Sequence, residues 1–331
     1  MPDGTAEARP LISLRRLFLR ATVNKLALAI PLLLLGFGLV EPHVLSWGNG
    51  WNIVIQASYM SLFVAAQSVV ILCRGFDLSL GTAVSLISVV SALVMVGASP
   101  HGQAVAILAG FAAGLSTGAL IGAFNGFFVA IVGINPFVVT LGTFNILLAL
   151  ASTVSGGFPV SGLPKAFGGT FNGRGLLDIP VIVWLAGLTL LGLHLTLRRT
   201  VFGRVLYQAG SNPRAAAIAG MRVRLHLYVA YVVCSVVIAF GALMMTARTG
   251  SGEPNLGGNL ALETIAAAVI GGMSLRGGEG GMLAPIVGAL FVTVLSNGMN
   301  LMRIDGYLQG IALGAIIIAG LFLDRKRTGV L

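Results

Sequence analysis

Uncharged polar side chains recur inside stretches of the chain that are otherwise apolar. Amide and hydroxyl groups suit a neutral polyol, because they exchange hydrogen bonds with it without fixing a charge. For any single residue, bonding between neighbouring helices is the better interpretation, so only the set indicates a pathway for a small solute. The set comprises Gln56, Tyr59 and Gln67 in one stretch, Thr140, Thr143 and Asn145 in a second, and Asn297 and Asn300 in a third.

A compact polar turn interrupts two apolar stretches at Arg74-Gly75-Phe76-Asp77-Leu78-Ser79-Leu80-Gly81. Asp77 either pairs with Arg74 or caps the following helix through nearby backbone N–H groups. We predict that Arg74, Asp77 and Ser79 have a structural role in this turn, in preference to substrate contact.

A basic segment later in the chain contains the signals of a short helix. Asn212 is a good N-cap, Pro213 suits the first helical position and Gly220 is a natural stop. Arg214 and Ile218 would lie one turn apart on one face of this helix. The predicted helix comprises Asn212, Pro213, Arg214, Ala215, Ala216, Ile218, Ala219 and Gly220.

Two common catalytic motifs do not occur in the sequence. Lysine occurs only at Lys25, Lys165 and Lys326 and never follows a glycine, so the nucleotide-binding sequence G-x-x-x-x-G-K-[ST] does not occur. The zinc motif H-E-x-x-H does not occur either, and the four histidines are far apart. We therefore predict no catalytic residue, no cofactor and no metal site.

Composition identifies the environment of these elements. Of the 331 residues, 56% are hydrophobic and only 9% are charged, against about a quarter charged in an average soluble domain. The apolar excess must face lipid. The net charge of +10 comes from scattered basic residues without interleaved aromatics, so it does not indicate nucleic acid.

Ten apolar stretches are long enough, or nearly so, to cross a bilayer as helices. We therefore predict an all-α integral membrane protein with about ten transmembrane helices. A cytoplasmic N-terminal segment (1–23) precedes the membrane domain (24–323), and a cytoplasmic tail (324–331) follows it. The predicted spans are 24–42, 52–72, 80–97, 103–130, 136–154, 179–197, 227–247, 261–276, 282–301 and 307–323.

The distribution of basic residues supports this topology independently. With both termini in the cytoplasm, sixteen of the twenty Lys and Arg residues fall inside, and only Lys165, Arg174, Arg248 and Arg303 fall outside. Two loops are long enough to have structure. One is a Gly- and Pro-rich outer loop (155–178) that resembles a lid or docking loop, and the other is the inner loop (198–226) with the short helix.

A short motif in the first half of the chain recurs in the second half. Gly118-Ala119-Leu120 followed by Asn125-Gly126 in the fourth span recurs as Gly288-Ala289-Leu290 followed by Asn297-Gly298 in the ninth. An offset of five helices inverts orientation, as in an inverted five-plus-five repeat. The alternative, which we weigh equally, is that small-residue motifs are frequent in any glycine-rich membrane bundle.

Several of these motifs together resemble one transporter family. The turn Gly75–Gly81 resembles the G-[IF]-D-L-S-[VL]-G signature of ribose-type ABC transporter permeases, the monosaccharide branch of bacterial binding-protein-dependent importers. The resemblance covers roughly residues 52 to 323. It continues through Asn135-Pro136-Phe137-Val138-Val139-Thr140-Leu141-Gly142-Thr143, Gly203-Arg204, Gly210-Ser211-Asn212-Pro213-Arg214-Ala215-Ala216, Ala219-Gly220, Ile265-Ala266-Ala267-Ala268-Val269-Ile270-Gly271-Gly272-Met273-Ser274-Leu275 and Gly277-Gly278-Glu279-Gly280. Arg276 departs from the pattern, since many members have a small or neutral residue there.

The resemblance implies a type II ABC importer permease in the bacterial inner membrane. Its partners would be ATP-binding ABC subunits below, a periplasmic sugar-binding protein above and a second permease copy, as a homodimer or as a heterodimer with a paralogue. The helix after Asn212 would be the element that couples the permease to the ATPase. The substrate would be a small neutral sugar such as ribose, xylose, arabinose or galactose, or another small solute such as inositol.

An ion-coupled secondary transporter is the alternative. Such a carrier normally buries acidic or basic residues in the middle of its helices. Asp77 and Glu263 come nearest to that arrangement, and both lie near predicted helix ends. We therefore expect the energy to come from a separate ATPase.

Overall fold

The chain is almost entirely helical in the computed structural model, which describes residues 26–327. The larger helices follow the predicted spans, and shorter helices lie in the two long loops. In chain order they are α1 (Leu26–Val40), α2 (Trp47–Leu72), α3 (Leu80–Ala98), α4 (Gln103–Gly126), α5 (Pro136–Ser155), α6 (Lys165–Asn172), α7 (Val181–Arg199), α8 (Val201–Ser211), α9 (Pro213–Ile218), α10 (Val223–Thr249), α11 (Leu260–Ile270), α12 (Leu283–Leu301) and α13 (Gly306–Arg327).

Each predicted apolar span coincides with one of these helices, and six of them are long and apolar enough to cross a membrane. These six are α2, α3, α4, α5, α7 and α10; α1, α11, α12 and α13 provide shorter apolar stretches. The all-helical membrane fold is therefore confirmed, whereas the count of ten crossings and the division into three segments stay predictions. The predicted segment 1–23 and residues 328–331 of the predicted tail lie outside the described residues.

Helix boundaries lie where the turn signals predict them. Asn135 caps α5 by accepting a hydrogen bond from the Phe137 N–H at 2.9 Å, and Pro136 occupies the first turn. Ser99-Pro100 lies in a 3-10 turn, Ser99–His101, after α3. In both cases proline ends one element or begins the next, since it cannot donate a backbone hydrogen bond.

The centre of the bundle is built by α2, α3, α4 and α10. In α2, every residue from Met60 to Leu72 is buried. A glycine ridge along α4, which comprises Gly114, Gly118, Gly122 and Gly126, allows close approach of α10. A Cβ at Gly118 would lie 2.6 Å from the Ala239 Cβ, and one at Gly122 would lie 2.6 Å from the Tyr231 carbonyl oxygen.

The contacts between helices follow a regular scheme. In the first half, α3 packs on α4 and α5; in the second, α11 packs on α12 and α13. Across the halves, α4 packs on α10 and α12 packs on α2, while α2 and α10 pack on each other. The outer surfaces of α5 and α7 are largely exposed in the single chain.

The outer loop is packed against the bundle. Within it, α6 buries Phe167 beside Met95 and Ala247, and the Asn172 amide donates to the Ala247 carbonyl at 2.8 Å. A β-bridge joins Val160 to Gly252. The loop is therefore held at the end of the bundle where α10 terminates, which we call the α10 end.

The inner loop contains two helices where the sequence predicts one. The amphipathic α8 precedes α9, buries Val205, Leu206 and Ala209, and is capped by Thr200, which accepts from the Gly203 N–H at 3.5 Å. The predicted short helix is present as α9. Both lie at the opposite end of the bundle, called the α9 end.

Candidate functional site

Helix α9 is capped at both ends by local interactions. The Asn212 Oδ1 accepts a hydrogen bond from the Ala215 N–H at 3.0 Å, and Pro213 occupies the first turn. After the C-cap Ala219, Gly220 has a φ of +77°. The Gly220 N–H donates to the Ala217 carbonyl at 3.0 Å and the Met221 N–H to the Ala216 carbonyl at 3.1 Å, a Schellman motif. These caps stabilise a helix too short to persist alone.

The two faces of α9 differ in exposure. Ala216 is buried, whereas Arg214 is exposed and Ile218 is 88% exposed. Both exposed side chains are therefore accessible to another molecule. A cavity of about 430 Å³ lies between α8 and α9. It is lined by Tyr207, Gln208, Ser211, Asn212, Ala215, Ala216 and Ala219.

The polar turn before α3 resolves the alternatives for Asp77. Its Oδ1 accepts from the Ser79 N–H at 2.9 Å and from the Ser79 hydroxyl at 2.5 Å. Arg74 instead donates to the carbonyls of Gly210 and Ser211. The predicted pairing of Asp77 with Arg74 is therefore wrong, because the Arg74 guanidinium points towards α8. The Asp77 carboxyl instead accepts its hydrogen bonds from Ser79, the residue immediately before α3.

A buried polar network extends from this turn through four parts of the bundle. The Asn125 amide donates to the Ser79 hydroxyl at 3.0 Å, and the Thr143 hydroxyl donates to the Asn125 Oδ1 at 2.7 Å. The Gln67 amide, oriented to satisfy both of its atoms, donates to the Asp77 carbonyl at 3.3 Å and accepts from the Asp77 N–H at 3.2 Å. All five residues are buried. Thr143 therefore bonds between helices, as the alternative interpretation of these candidates describes, and Gln67 bonds α2 to the turn before α3.

Burial changes the pKa of the Asp77 carboxyl in the turn before α3. It raises the pKa of Asp77 above the ordinary value, whereas the two hydrogen bonds from Ser79 lower it. Its Oδ2 is buried without a hydrogen-bond partner. The turn is thus a place where folding and protonation are linked.

The remaining pathway candidates are dispersed. The hydroxyl of Thr140 and the amide of Asn145 donate to carbonyls of their own helix, at Pro136 and Leu141. The amides of Asn297 and Asn49 bond reciprocally, at 2.9 and 3.1 Å. Asn300 accepts from the Gln309 amide at 2.8 Å.

One column of polar residues on α2 keeps partial exposure near the α10 end. Asn52, Gln56 and Tyr59 are four and three residues apart, so they share a helix face, and all three are half-buried. The Arg248 Nη2 donates to the Asn52 Oδ1 at 2.5 Å. Arg248 and Glu263 are the charged side chains near Tyr59. The column thus contains two of the predicted candidates, Gln56 and Tyr59.

Several residues of the buried network and of the column on α2 are not among the residues predicted from sequence. Asn125 and Asn52 are amides in apolar spans, the same signal that selects Gln56 and Gln67, so they are recognisable in principle. The place of Arg248 and Glu263 beside the column comes from the packing of α10 and α11 on α2, which a single sequence does not contain.

Neither a nucleophile elbow nor a metal-binding cluster is found among the residues that the structure describes. The segment Gly114–Gly118 matches the letters G-x-S-x-G, but it lies in the middle of α4 and not at the strand-to-helix turn that a nucleophile elbow requires. Among residues 26–327, no group of three or more His, Cys, Asp or Glu side chains is placed to hold a metal ion.

Known proteins resemble this chain over nearly its whole length. A family model described as the branched-chain amino acid transport system / permease component matches residues 49–321. The ribose import permease protein RbsC of Escherichia coli strain K12 is 31% identical over 322 residues, which cover 96% of this chain and 98% of that protein. No solved structure matches.

Two further relatives have similar coverage. The D-allose transport system permease protein AlsC of Escherichia coli strain K12 is 32% identical over 291 residues, 87% of each chain. The probable ABC transporter permease protein y4mJ of Sinorhizobium fredii is 34% identical over 297 residues, which cover 90% of this chain and 87% of that protein.

Proposed function

The chain belongs to the family of transport-system permease components whose model it matches, and from this premise we propose that it forms the translocation pathway of an ATP-driven importer for a small neutral sugar. The observation that carries the proposal is the end-to-end similarity to a ribose import permease, over 96% of this chain and 98% of the relative. Other relatives are named for allose and galactose transport. ATP hydrolysis would occur in a separate partner subunit.

The family description names branched-chain amino acids, whereas the relatives of assigned substrate reported above are named for sugars. Amide and hydroxyl groups of the column on α2 suit sugar hydroxyls. Arg248 and Glu263 beside the column offer opposite charges that a zwitterion would also satisfy. A thermal-shift panel on the cognate binding protein, with pentoses, hexoses, leucine and valine, separates the two: stabilisation by amino acids alone would end the sugar proposal.

The proposed assembly has two permease copies, two ATPase domains and a periplasmic sugar-binding protein. The exposed Ile218 and Arg214 of α9 support docking of the ATPase at the α9 end. The exposed faces of α5 and α7 are available to lipid or to the second copy, which is either identical or a paralogue. The α9 end would be cytoplasmic, as would both termini, because it carries most of the arginines of the described loops.

An inverted five-plus-five repeat is part of the proposal. If the α1–α5 half corresponds to the half formed by α7 and α10 to α13, then α4 corresponds to α12 and α10 to α2. The packing of α4 on α10 then has a counterpart in α12 on α2, and α3 on α4 has one in α11 on α12. This correspondence, together with the recurring Gly-Ala-Leu motif, supports an arrangement in which two related halves surround the pathway.

Uptake by proteoliposomes tests the mechanism against an ion-coupled secondary carrier. The permease would be reconstituted with its ATPase and supplied with binding protein and radiolabelled sugar. We expect uptake that requires ATP and binding protein and that persists after an uncoupler is added. Uptake that collapses with the uncoupler while ATP remains would establish the carrier instead.

A further inference from the structure

Arg74 has a backbone conformation that arginine rarely adopts. It follows α2 with a φ of +64°, in the left-handed region that glycine occupies at no steric cost and that other residues disfavour. Its N–H donates to the Ile71 carbonyl at 2.9 Å, and the Gly75 N–H donates to the Val70 carbonyl at 2.8 Å. Glycine would complete this helix ending equally well, so the ending itself does not require an arginine.

Hydrogen bonds made by the Arg74 side chain explain why this position is an arginine. Its Nε donates to the Gly210 carbonyl at 2.6 Å and its Nη2 donates to the Ser211 carbonyl at 2.7 Å. These are the last two residues of α8, where carbonyls lack partners within the helix and a positive charge is favourable. The planar guanidinium fork holds both carbonyls at once. Asn212, the cap of α9, is the next residue.

Close backbone contact surrounds this clamp. The Gly278 N–H, from the loop between α11 and α12, donates to the Leu72 carbonyl at 2.8 Å. A Cβ at Gly210 would lie 1.8 Å from the Leu72 carbonyl oxygen and 2.4 Å from the Gly278 nitrogen. The Tyr207 hydroxyl on α8 donates to the Gly280 carbonyl at 2.9 Å. Three segments therefore meet in close contact: the end of α2, the α8–α9 link (residues 210–212) and the α11–α12 loop.

We propose that Arg74 is a positioning residue that transmits movement of α9 to α2. Because the clamp grips the residues immediately before the α9 cap, displacement of α9 displaces the end of α2 with it. Helix α2 carries the half-buried column of Asn52, Gln56 and Tyr59 at its other end, so it links the two ends of the bundle. This inference rests on the proposed function, because it assigns α9 the input from the ATPase.

The variant Arg74→Gly separates transmission from a purely structural role. Glycine relieves the left-handed backbone while removing both hydrogen bonds to α8, so a role confined to the turn predicts unchanged or higher thermal stability and normal transport. We expect instead that the reconstituted importer keeps its ATPase and hydrolyses ATP while sugar taken up per ATP falls at least about tenfold, because both charge-assisted hydrogen bonds are lost. Arg74→Lys, which keeps the charge but not the fork, should fall between Arg74→Gly and wild type.

Matched controls test the junction independently. Gly210→Ala forces a Cβ against the Leu72 carbonyl and should uncouple transport, whereas Gly281→Ala, with no atom within 4 Å of its added Cβ, should behave as wild type. Arg224→Gln, which removes an exposed arginine near the start of α10, should also leave coupling unchanged. Uptake per ATP in Arg74→Gly equal to that of wild type would overturn the proposal, and so would loss of ATPase co-purification, which would make Arg74 a docking residue.

Hydrogen exchange on the isolated permease gives a result that does not depend on transport. We expect faster amide exchange across the α8–α9 link in Arg74→Gly and no change in the middle of α2. Unchanged exchange in the link would overturn the clamp even in an active importer. Failure of the wild-type complex to show ATP-dependent uptake would instead contradict the proposed function while the exchange result still decides whether the clamp exists.

Discussion

The Asn125 side chain on α4 donates a hydrogen bond to the Ser79 hydroxyl across 3.0 Å, and both residues are fully buried. Ser79 in turn donates to Asp77, and Asn125 accepts from Thr143 on α5. In an apolar interior such bonds form only when the helices have one register relative to each other. The network therefore fixes α4 and α5 against the turn that precedes α3.

Replacement of Asn125 by leucine tests this network. Asn125→Leu removes the bonds to Ser79 and Thr143, each worth a net of about 0.5–1.5 kcal/mol, so we expect lower thermal stability of the purified permease. Thr117→Val is the matched control, because the Thr117 hydroxyl donates to Ala113 on its own helix. Equal unfolding temperatures for the two variants would mean that the network adds nothing to stability.

The glycine ridge of α4 makes a second prediction. Gly122→Ala places a Cβ 2.6 Å from the Tyr231 carbonyl oxygen and 2.8 Å from the Val232 Cα, so α10 must move away, at a cost of about 1–3 kcal/mol. Gly142→Ala on α5 meets no atom within 4 Å and should be neutral or stabilising, since alanine is the better helix former. Thermal unfolding in detergent measures both; comparable stability would show that the ridge does not set the distance between the helices.

Most of the fold is predictable because apolar length and local turn chemistry determine it. Asn135-Pro136 and the capped Asn212–Gly220 segment carry their boundaries in adjacent residues, and the structure has them there. Helix α8 is not among the predicted helices, although Thr200 and the spacing of Val201, Val205 and Ala209 are typical of a capped amphipathic helix.

The candidate site is less predictable because its residues meet only through packing. Arg74 lies three residues before Asp77, a spacing that allows an ion pair, but its left-handed backbone turns the side chain towards Gly210, 136 residues away. Likewise Gln67 and Thr143 fit a polar pathway by type, yet both are bonded within the buried network. Side-chain chemistry identified the polar residues, and only tertiary contacts separate the column on α2 from the rest.

The coupling role of α9 predicts an effect of Ile218 on partner binding alone. Ile218→Ser removes a side chain that is 88% exposed, so the permease should keep its stability while less ATPase co-purifies. Val201→Ser, on α8 and 59% exposed, is the matched control and should retain the partner. If both variants retain the ATPase fully, α9 docks through other groups.

A break in α9 should have a larger effect than loss of one side chain. Ala216→Pro removes the hydrogen bond from the Ala216 N–H to the Asn212 carbonyl, which is 3.0 Å long, and costs about 3 kcal/mol locally. Because α9 lies outside the long apolar helices, we expect a normal membrane level with loss of ATPase co-purification or of sugar-stimulated ATP hydrolysis. Stimulation at the wild-type level would show that this segment is a basic loop that does not transmit force.

The buried carboxyl of Asp77 predicts a specific pH dependence of stability. Burial raises its pKa above the ordinary value of 3.8, despite the opposing hydrogen bonds from Ser79. The folded state therefore holds this proton more tightly than the unfolded chain does, so this contribution to stability is fully present below pH 3.8 and is lost as pH rises through the folded-state pKa.

Asp77→Asn lacks the titrating group, and its stability should depend less on pH than that of wild type between about pH 4 and pH 8. Thermal unfolding of both proteins across that range measures the difference. Parallel pH profiles for wild type and Asp77→Asn would show that the Asp77 carboxyl has the same pKa in the folded and unfolded chains.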